Sequence, residues 1–289
     1  MSIHRPRPVS RRAFIGGLLA TTAVAAGCGP VRRKNAPGAV TVASLIAGDP
    51  FYVAHRGGGG DWPEMTGYAY RQASRVPGIR ALEISLCLSK DGVLVCSHDP
   101  TTTRLTGTAY TIADQTWQTL STLQVTGAET TKPKQPAQPL TRFDDVVDTY
   151  IDRFVLFVEP KVSSAIEPLM VRMAALGQPD RVVWKQPINS SVFGTAKREG
   201  FSTWGYVLDE PAHLDSVEHF AAATDIDMLG AEIGQPDDVI TRIAGAAARE
   251  GKKTLAWPIR TPEQRDKALA LGCHGLMAAD PAELLGPPK

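Results

Sequence analysis

Two histidines stand where apolar runs give way to loops. In "AHRGGGGDWPEMT", His55 is followed by Arg56; in "VLVCSHDP", His98 is followed by Asp99. An imidazole can take or give a proton near neutral pH, so a pair of them suits acid–base work on oxygen. Carboxylates recur at two further places, Glu83 with Ser85 in "EISLCLSKDGVLVCSHDP" and Glu159 with Lys161 in "VEPK". Residues two apart on a strand point to the same side, so each of these pairs shares a face. Arg56 offers a planar fork of donors and Lys161 a point charge, and both suit an anionic substrate. A strand meant for a core has no need of an acid, a hydroxyl and an imidazole. These residues read as the wall of a site.

What could bring them together is a repeated strand–helix unit. From Phe51 on, eight apolar runs, "FYVAH", "RALEIS", "RFVLFVE", "RVVWKQ", "TWGYVL", "DIDMLGA", "KTLAW" and "HGLMAA", alternate with amphipathic stretches. In the seventh such stretch Thr261 can cap, Pro262 suits the first turn, Glu263 favours the positive helix end and Gly272 stops it. Eight such units in about 240 residues predict an α/β fold, a (β/α)8 TIM barrel. The Thr-, Gln- and Pro-rich segment of about 100–140 is expected to be a small insertion after the second strand. A doubly wound open sheet is the competing arrangement, but "HRGGGGD" lacks the acidic ribose partner of a dinucleotide fingerprint. In barrels the catalytic groups sit at the C-terminal ends of strands. That rule selects His55, Arg56, Glu83, Ser85, Glu159, Lys161, Lys185, Gln186 and Trp257. Trp257 is expected to line a pocket or pack in the core; His213, His219 and His274 are expected on helix surfaces or loops. A two-residue turn at Asp91-Gly92 would pair Cys87 with Cys96 and Ser85 with His98. A Cys87–Cys96 bridge would fit that register, and two buried free thiols would pack equally well.

The first residues read differently. Residues 1–34 carry seven Arg and Lys and no acid; removing them from a net charge of +1 leaves −6 for residues 35–289. A balance of that sign excludes a general nucleic-acid binder, which needs clustered cations. "VSRRAFIGGLLATTAVAAGCG" has paired arginines and an apolar run too short to cross a bilayer. It resembles a twin-arginine lipoprotein signal with Cys28 as the lipidated residue. The expectation is a signal over 1–28, a basic Pro/Gly tether over 29–50 and a barrel domain over 51–289. The protein would then be extracytoplasmic, held to a bacterial membrane by a lipid anchor.

The motifs quoted above, with "LAWPIRTPEQRDKALALGCHGLMAADP", resemble the glycerophosphodiester phosphodiesterase family in its HRG…PENT, E-x-D…KDG…HD and E-x-K order. The resemblance covers roughly residues 52–285. It implies a (β/α)8 barrel that hydrolyses small glycerophosphodiesters to glycerol phosphate and an alcohol, with a divalent metal, Mg²⁺ or Ca²⁺. It makes His55 and His98 the acid/base pair, Arg56 and Lys161 phosphate contacts, and Glu83 and Glu159 metal ligands. Two positions depart from the pattern. Met65 stands for Asn, and Ser85 stands for the Asp of E-x-D. A neutral hydroxyl is a poor ligand for a hard cation, so Ser85 implies a compensating acid such as Asp61, Glu64 or Asp99, a weaker metal site, or lost activity. The alternatives are a sphingomyelinase D-like phospholipase acting as a lyase, and a catalytically weakened pseudoenzyme that binds phosphodiester head groups.

Overall fold

The computed structural model describes residues 39–127 and 135–289. The expected signal and Cys28 lie outside the described residues. Among the described residues eleven strands follow in chain order: β1 Phe51–Ala54, β2 Ile79–Leu88, β3 Leu94–Cys96, β4 Gln124–Val125, β5 Gln138–Pro139, β6 Val155–Pro160, β7 Val182–Pro187, β8 Ser202–Val207, β9 Met228–Glu232, β10 Lys253–Ile259 and β11 Gly275–Ala278. Eight of them are parallel neighbours in the order β1-β11-β10-β9-β8-β7-β6-β2, and β1 pairs with β2 to close the ring. The closed (β/α)8 barrel excludes the open sheet. All eight apolar runs became barrel strands, because period-2 patterning with short polar breaks leaves little other structure open to them.

Strand parity divides the apolar residues into two layers. One set faces the helices, including Leu82, Ile84, Leu156, Val158, Trp184 and Leu229. The other fills the barrel interior, with Val53, Ala81, Phe157, Val183, Trp204, Met228, Leu255 and Met277. The interior is crowded: a Cβ on Gly230 would come within 2.5 Å of the Trp204 ring, so the glycine makes room for the indole. Two residues along from this layer, on the same faces, lie Glu83, Glu159 and Lys185. The polar site therefore rests on a packed apolar floor.

The expected cap at Thr261 forms. Thr261 Oγ1 accepts from Gln264 N at 3.3 Å ahead of the helix Pro262–Ala270. At the other end of the barrel the stretch expected to be a tether folds into the domain from residue 40 on. Its helix α1, Val42–Ile46, is closed by a reciprocal Thr41–Ser44 capping box. Val40, Val42 and Leu45 are buried with the barrel interior. Burying a side chain of this size stabilises by roughly 1.5–3 kcal/mol before entropy is counted, enough to hold a five-residue helix that could not form alone.

The hairpin register corrects the sequence expectation. β2 and β3 pair Leu86 with Cys96, Cys87 with Val95 and Leu88 with Leu94. The connection is one residue longer than a two-residue turn. Ser89 N donates to Val93 O, and Gly92 takes the left-handed φ of +81°, the form typical of a three-residue loop. A one-residue slip moves side chains to the opposite face. Cys96 therefore lies in the strand–helix core and Cys87 under the insertion, and both are free, as is Cys273. The insertion has a small core of its own, Leu105, Ile112, Leu120, Val125 and Leu140 around Cys87 and Val95. Among the described residues, no helix is long and apolar enough to cross a membrane.

Candidate active site

A cavity of about 350 Å³ opens at the C-terminal mouth of the barrel. Its lining includes His55, Arg56, His98, Lys161, Tyr206 and Trp257. The strand ends thus bring together both imidazoles, both expected phosphate contacts and the expected tryptophan. Glu159 and Lys185 also reach it, whereas Glu83 and Ser85 are fully buried.

The first strand delivers His55 through an unusual backbone. Arg56 has left-handed φ 54° and ψ 33°, a costly conformation for a residue with a Cβ. Two contacts hold it there. Arg56 N donates to Glu83 Oε2 at 2.7 Å, and Met65 N donates to Arg56 O at 3.0 Å. The glycines that follow are required by space and by dihedral. Gly58 has φ +84°, and a Cβ on Gly60 would collide with the Asp280 carboxylate.

His98 lies just past β3, with Nδ1 2.8 Å from Asp99 Oδ1. Asp99 and Glu64 both accept from Arg104, and Glu64 also accepts from Arg56 Nη1 at 3.2 Å. A chain of alternating charges therefore joins the two histidine loops. Asp99 and Glu64, considered above as compensating acids, serve that chain, and Asp61 is engaged elsewhere, its carboxylate accepting from Ala282 N at 2.7 Å. Arg104 comes from the insertion, which sequence reasoning left without a role.

The centre is ionic. Lys185 Nζ donates to Glu83 Oε1 at 2.8 Å and to Glu159 Oε2 at 2.6 Å. Ser85 Oγ lies 3.0 and 3.1 Å from the same two oxygens. Lys161 Nζ and Tyr206 Oη donate to the other oxygen of Glu159, at 3.0 and 2.8 Å. The register Ser85↔Glu159 between β2 and β6 puts these groups at one level. Lys185 was visible in the sequence only as a strand-end cation, and Tyr206 only as part of an apolar run.

The charges follow from these contacts. Burial disfavours the ammonium of Lys185, but Glu159 and Glu83 outweigh it and raise its pKa. Burial likewise opposes ionisation of Glu83 and Glu159, yet Lys185, with help from His55 at Glu83 and Lys161 at Glu159, holds both below the usual carboxylate value. Burial first and Arg56 second hold the His55 imidazole well below its ordinary value, against the pull of Glu83. The His98 imidazole is lowered by burial, Arg56 and Lys161, against its bond to Asp99.

The metal implied by the resemblance does not fit this donor set. All four oxygens of Glu83 and Glu159 already accept hydrogen bonds, and an ammonium stands between the carboxylates. Among the described residues no three His, Cys, Asp or Glu side chains are grouped to hold a metal ion. The structure brings Glu83, Ser85 and Glu159 together as expected, but around Lys185. His213, expected at a surface, is buried and accepts from Leu208 N through Nδ1.

The fold and this mouth define a (β/α)8 barrel that gathers two imidazoles and several cations around one cavity. The chain belongs to the glycerophosphoryl diester phosphodiesterase family, whose sequence profile matches residues 55–283. It is 40% identical over 70 residues to glycerophosphodiester phosphodiesterase GDPD6 of Arabidopsis thaliana, covering 24% of this chain and 18% of that protein. It is 46% identical over 55 residues to probable glycerophosphodiester phosphodiesterase 1 of Mycobacterium tuberculosis, covering 19% and 20%. The matched stretches span about a fifth of these relatives. Among solved structures, a putative glycerophosphoryl diester phosphodiesterase from Silicibacter pomeroyi has a TM-score of 0.67 at 19% identity, over 82% of this chain and 92% of that one. An Oleispira antarctica phosphodiesterase in complex with the product sn-glycerol-3-phosphate has a TM-score of 0.64 at 21% identity, over 82% and 95%. At these identities the structural likeness establishes the fold.

Proposed function

We propose that this protein hydrolyses small glycerophosphodiesters to glycerol phosphate and an alcohol. The observation that carries the reading is the shared mouth, in which His55, His98, Arg56 and Lys161 line one cavity. A phosphodiester placed there would have its charge met by the Arg56 fork and the Lys161 ammonium. One imidazole would take the proton of the attacking oxygen and the other would return a proton to the leaving alkoxide. Asp99, on Nδ1 of His98, fixes the orientation of that ring. Trp257 and Leu208 give the cavity an apolar side for a glycerol backbone. The Mg²⁺ or Ca²⁺ implied by the resemblance has no step in this reading.

The same reading extends to location. The Arg11-Arg12 pair, the short apolar run and Cys28 support export followed by lipid anchoring at a membrane. The test of function is turnover of a panel of glycerophosphodiesters by the purified protein. His55→Ala and His98→Ala are each expected to lower the rate by at least ~10²-fold, the usual scale for a lost acid or base. Near-normal rates in both variants on the best substrate would refute the acid/base assignment.

A further inference from the structure

We propose that the Lys185 ammonium does the electrostatic work of a divalent metal in this site, so that binding and turnover need no metal. The inference deepens the function proposed above and rests on it.

Two features of this site are coupled in space. Ser85 removes one carboxylate from the E-x-D pair, and Lys185 puts a cation against the carboxylates that remain. Glu83 Oε1 and Glu159 Oε2 each meet both the Ser85 hydroxyl and the Lys185 ammonium. The charge count is conserved. Three carboxylates around a divalent ion sum to −1, and two carboxylates around an ammonium also sum to −1. Losing either feature alone would break that balance. An Asp at 85 would place a third buried anion on one ammonium, and an uncharged residue at 185 would leave two buried anions facing each other.

The geometry excludes joint occupancy. A hard cation needs about six to eight oxygen ligands for Ca²⁺ or a near-octahedral set for Mg²⁺. Here it would find two carboxylates whose four oxygens all already accept hydrogen bonds, and one neutral hydroxyl. It would also sit beside two ammonium groups, since Lys161 lies 3.0 Å from the far oxygen of Glu159. Lys185 cannot swing away easily. Its strand is locked between β6 and β8, and its Nζ lies 5.6 and 5.5 Å from the ring centroids of Trp204 and Tyr206. An ammonium has three protons, and the two carboxylates take two of them. Because Lys185 borders the cavity, its charge meets a phosphoryl oxygen from the floor, while Arg56 and Lys161 meet it from the walls.

The test is calorimetric titration of the chelator-dialysed protein with Ca²⁺, Mg²⁺ and Mn²⁺, with no substrate present. The wild type is expected to bind none of them more tightly than about 1 mM, the weak end of protein sites. The double variant Ser85→Asp/Lys185→Gln is expected to gain one site per chain, at least about tenfold tighter, which is a difference of one decade in Kd. A wild type that binds one ion per chain in the micromolar range, and loses it in Glu83→Gln, would overturn the proposal. So would a double variant whose circular dichroism is native but which binds no ion. If the double variant fails to fold, the wild-type titration decides alone. Absence of turnover on every diester would count against the proposed function and leave this result standing.

Discussion

Replacing Lys185 with Met keeps the apolar stem of the side chain and removes the ammonium, with its charge and its two hydrogen bonds. In the native protein Nζ lies 2.8 Å from Glu83 Oε1 and 2.6 Å from Glu159 Oε2, so these oxygens are at most 5.4 Å apart. With the ammonium gone, two unit charges at that spacing repel by about 3 kcal/mol at an effective dielectric near 20. Breaking a buried ion pair from one side costs about 3–5 kcal/mol in general, and the two figures agree. Lys185→Met should therefore lose about 3–5 kcal/mol of unfolding free energy at neutral pH, a large part of a domain's stability. The loss should depend on pH in a definite direction. In the wild type both carboxylates have folded pKa values below their unfolded ones. Their stabilisation is present above about pH 4.5 and disappears as pH falls through the folded values. In the variant one carboxylate faces the other with no cation between them, so its folded pKa rises above the unfolded value. The folded variant then takes up a proton first, and its deficit shrinks as pH falls. Urea unfolding of both proteins at about pH 7.5 and 5.5 measures this. A deficit below about 1 kcal/mol, or one that does not narrow at the lower pH, would refute the account of a buried ionic cluster.

Other outcomes follow from the same geometry. Because both imidazoles are held below their ordinary values, the acid limb of kcat/KM should fall below about pH 6.5. Lys161→Met removes a positive charge that disfavours protonation of His98, so that limb should move to higher pH; an unmoved limb would show that His98 does not set it. Thiol titration of the denatured protein should find Cys87, Cys96 and Cys273 all free, whereas a single free thiol besides Cys28 would mean a bridge that the observed register forbids. If Cys28 carries a lipid, the wild type should partition with membranes and Cys28→Ala should not; equal partitioning would refute the anchor.

The barrel was legible because its signal is repeated. Eight apolar runs of strand length, each followed by an amphipathic stretch, admit few other folds. His55, Arg56, Glu83, Glu159, Lys161 and Trp257 were legible because strand ends are sparse places and polar residues there stand out. Contacts across the barrel were not. Lys185 and Glu83 are 102 residues apart, and nothing local in "RVVWKQ" says that the lysine turns inward to meet two carboxylates. Inward direction depends on strand parity, and parity depends on where each strand begins, which a sequence fixes only to within a residue or two. The hairpin shows how much that matters. One extra loop residue, allowed by Gly92, moved Cys96 into one core and left Cys87 in another. Arg104 was hidden differently. Segment 100–140 has weak periodicity, so its arginine could not be placed beside Glu64 and Asp99 until the insertion was seen folded onto the hairpin.

The most direct measurement is the rate of glycerophosphodiester hydrolysis by the wild-type protein before and after exhaustive dialysis against chelator, assayed with excess chelator present. A site whose positive charge comes from Lys185, Lys161 and Arg56 should turn over its best diester at an unchanged rate, and adding Mg²⁺, Ca²⁺ or Mn²⁺ should not raise it. A rate that vanishes on dialysis and returns with one of these ions would contradict the account at its centre.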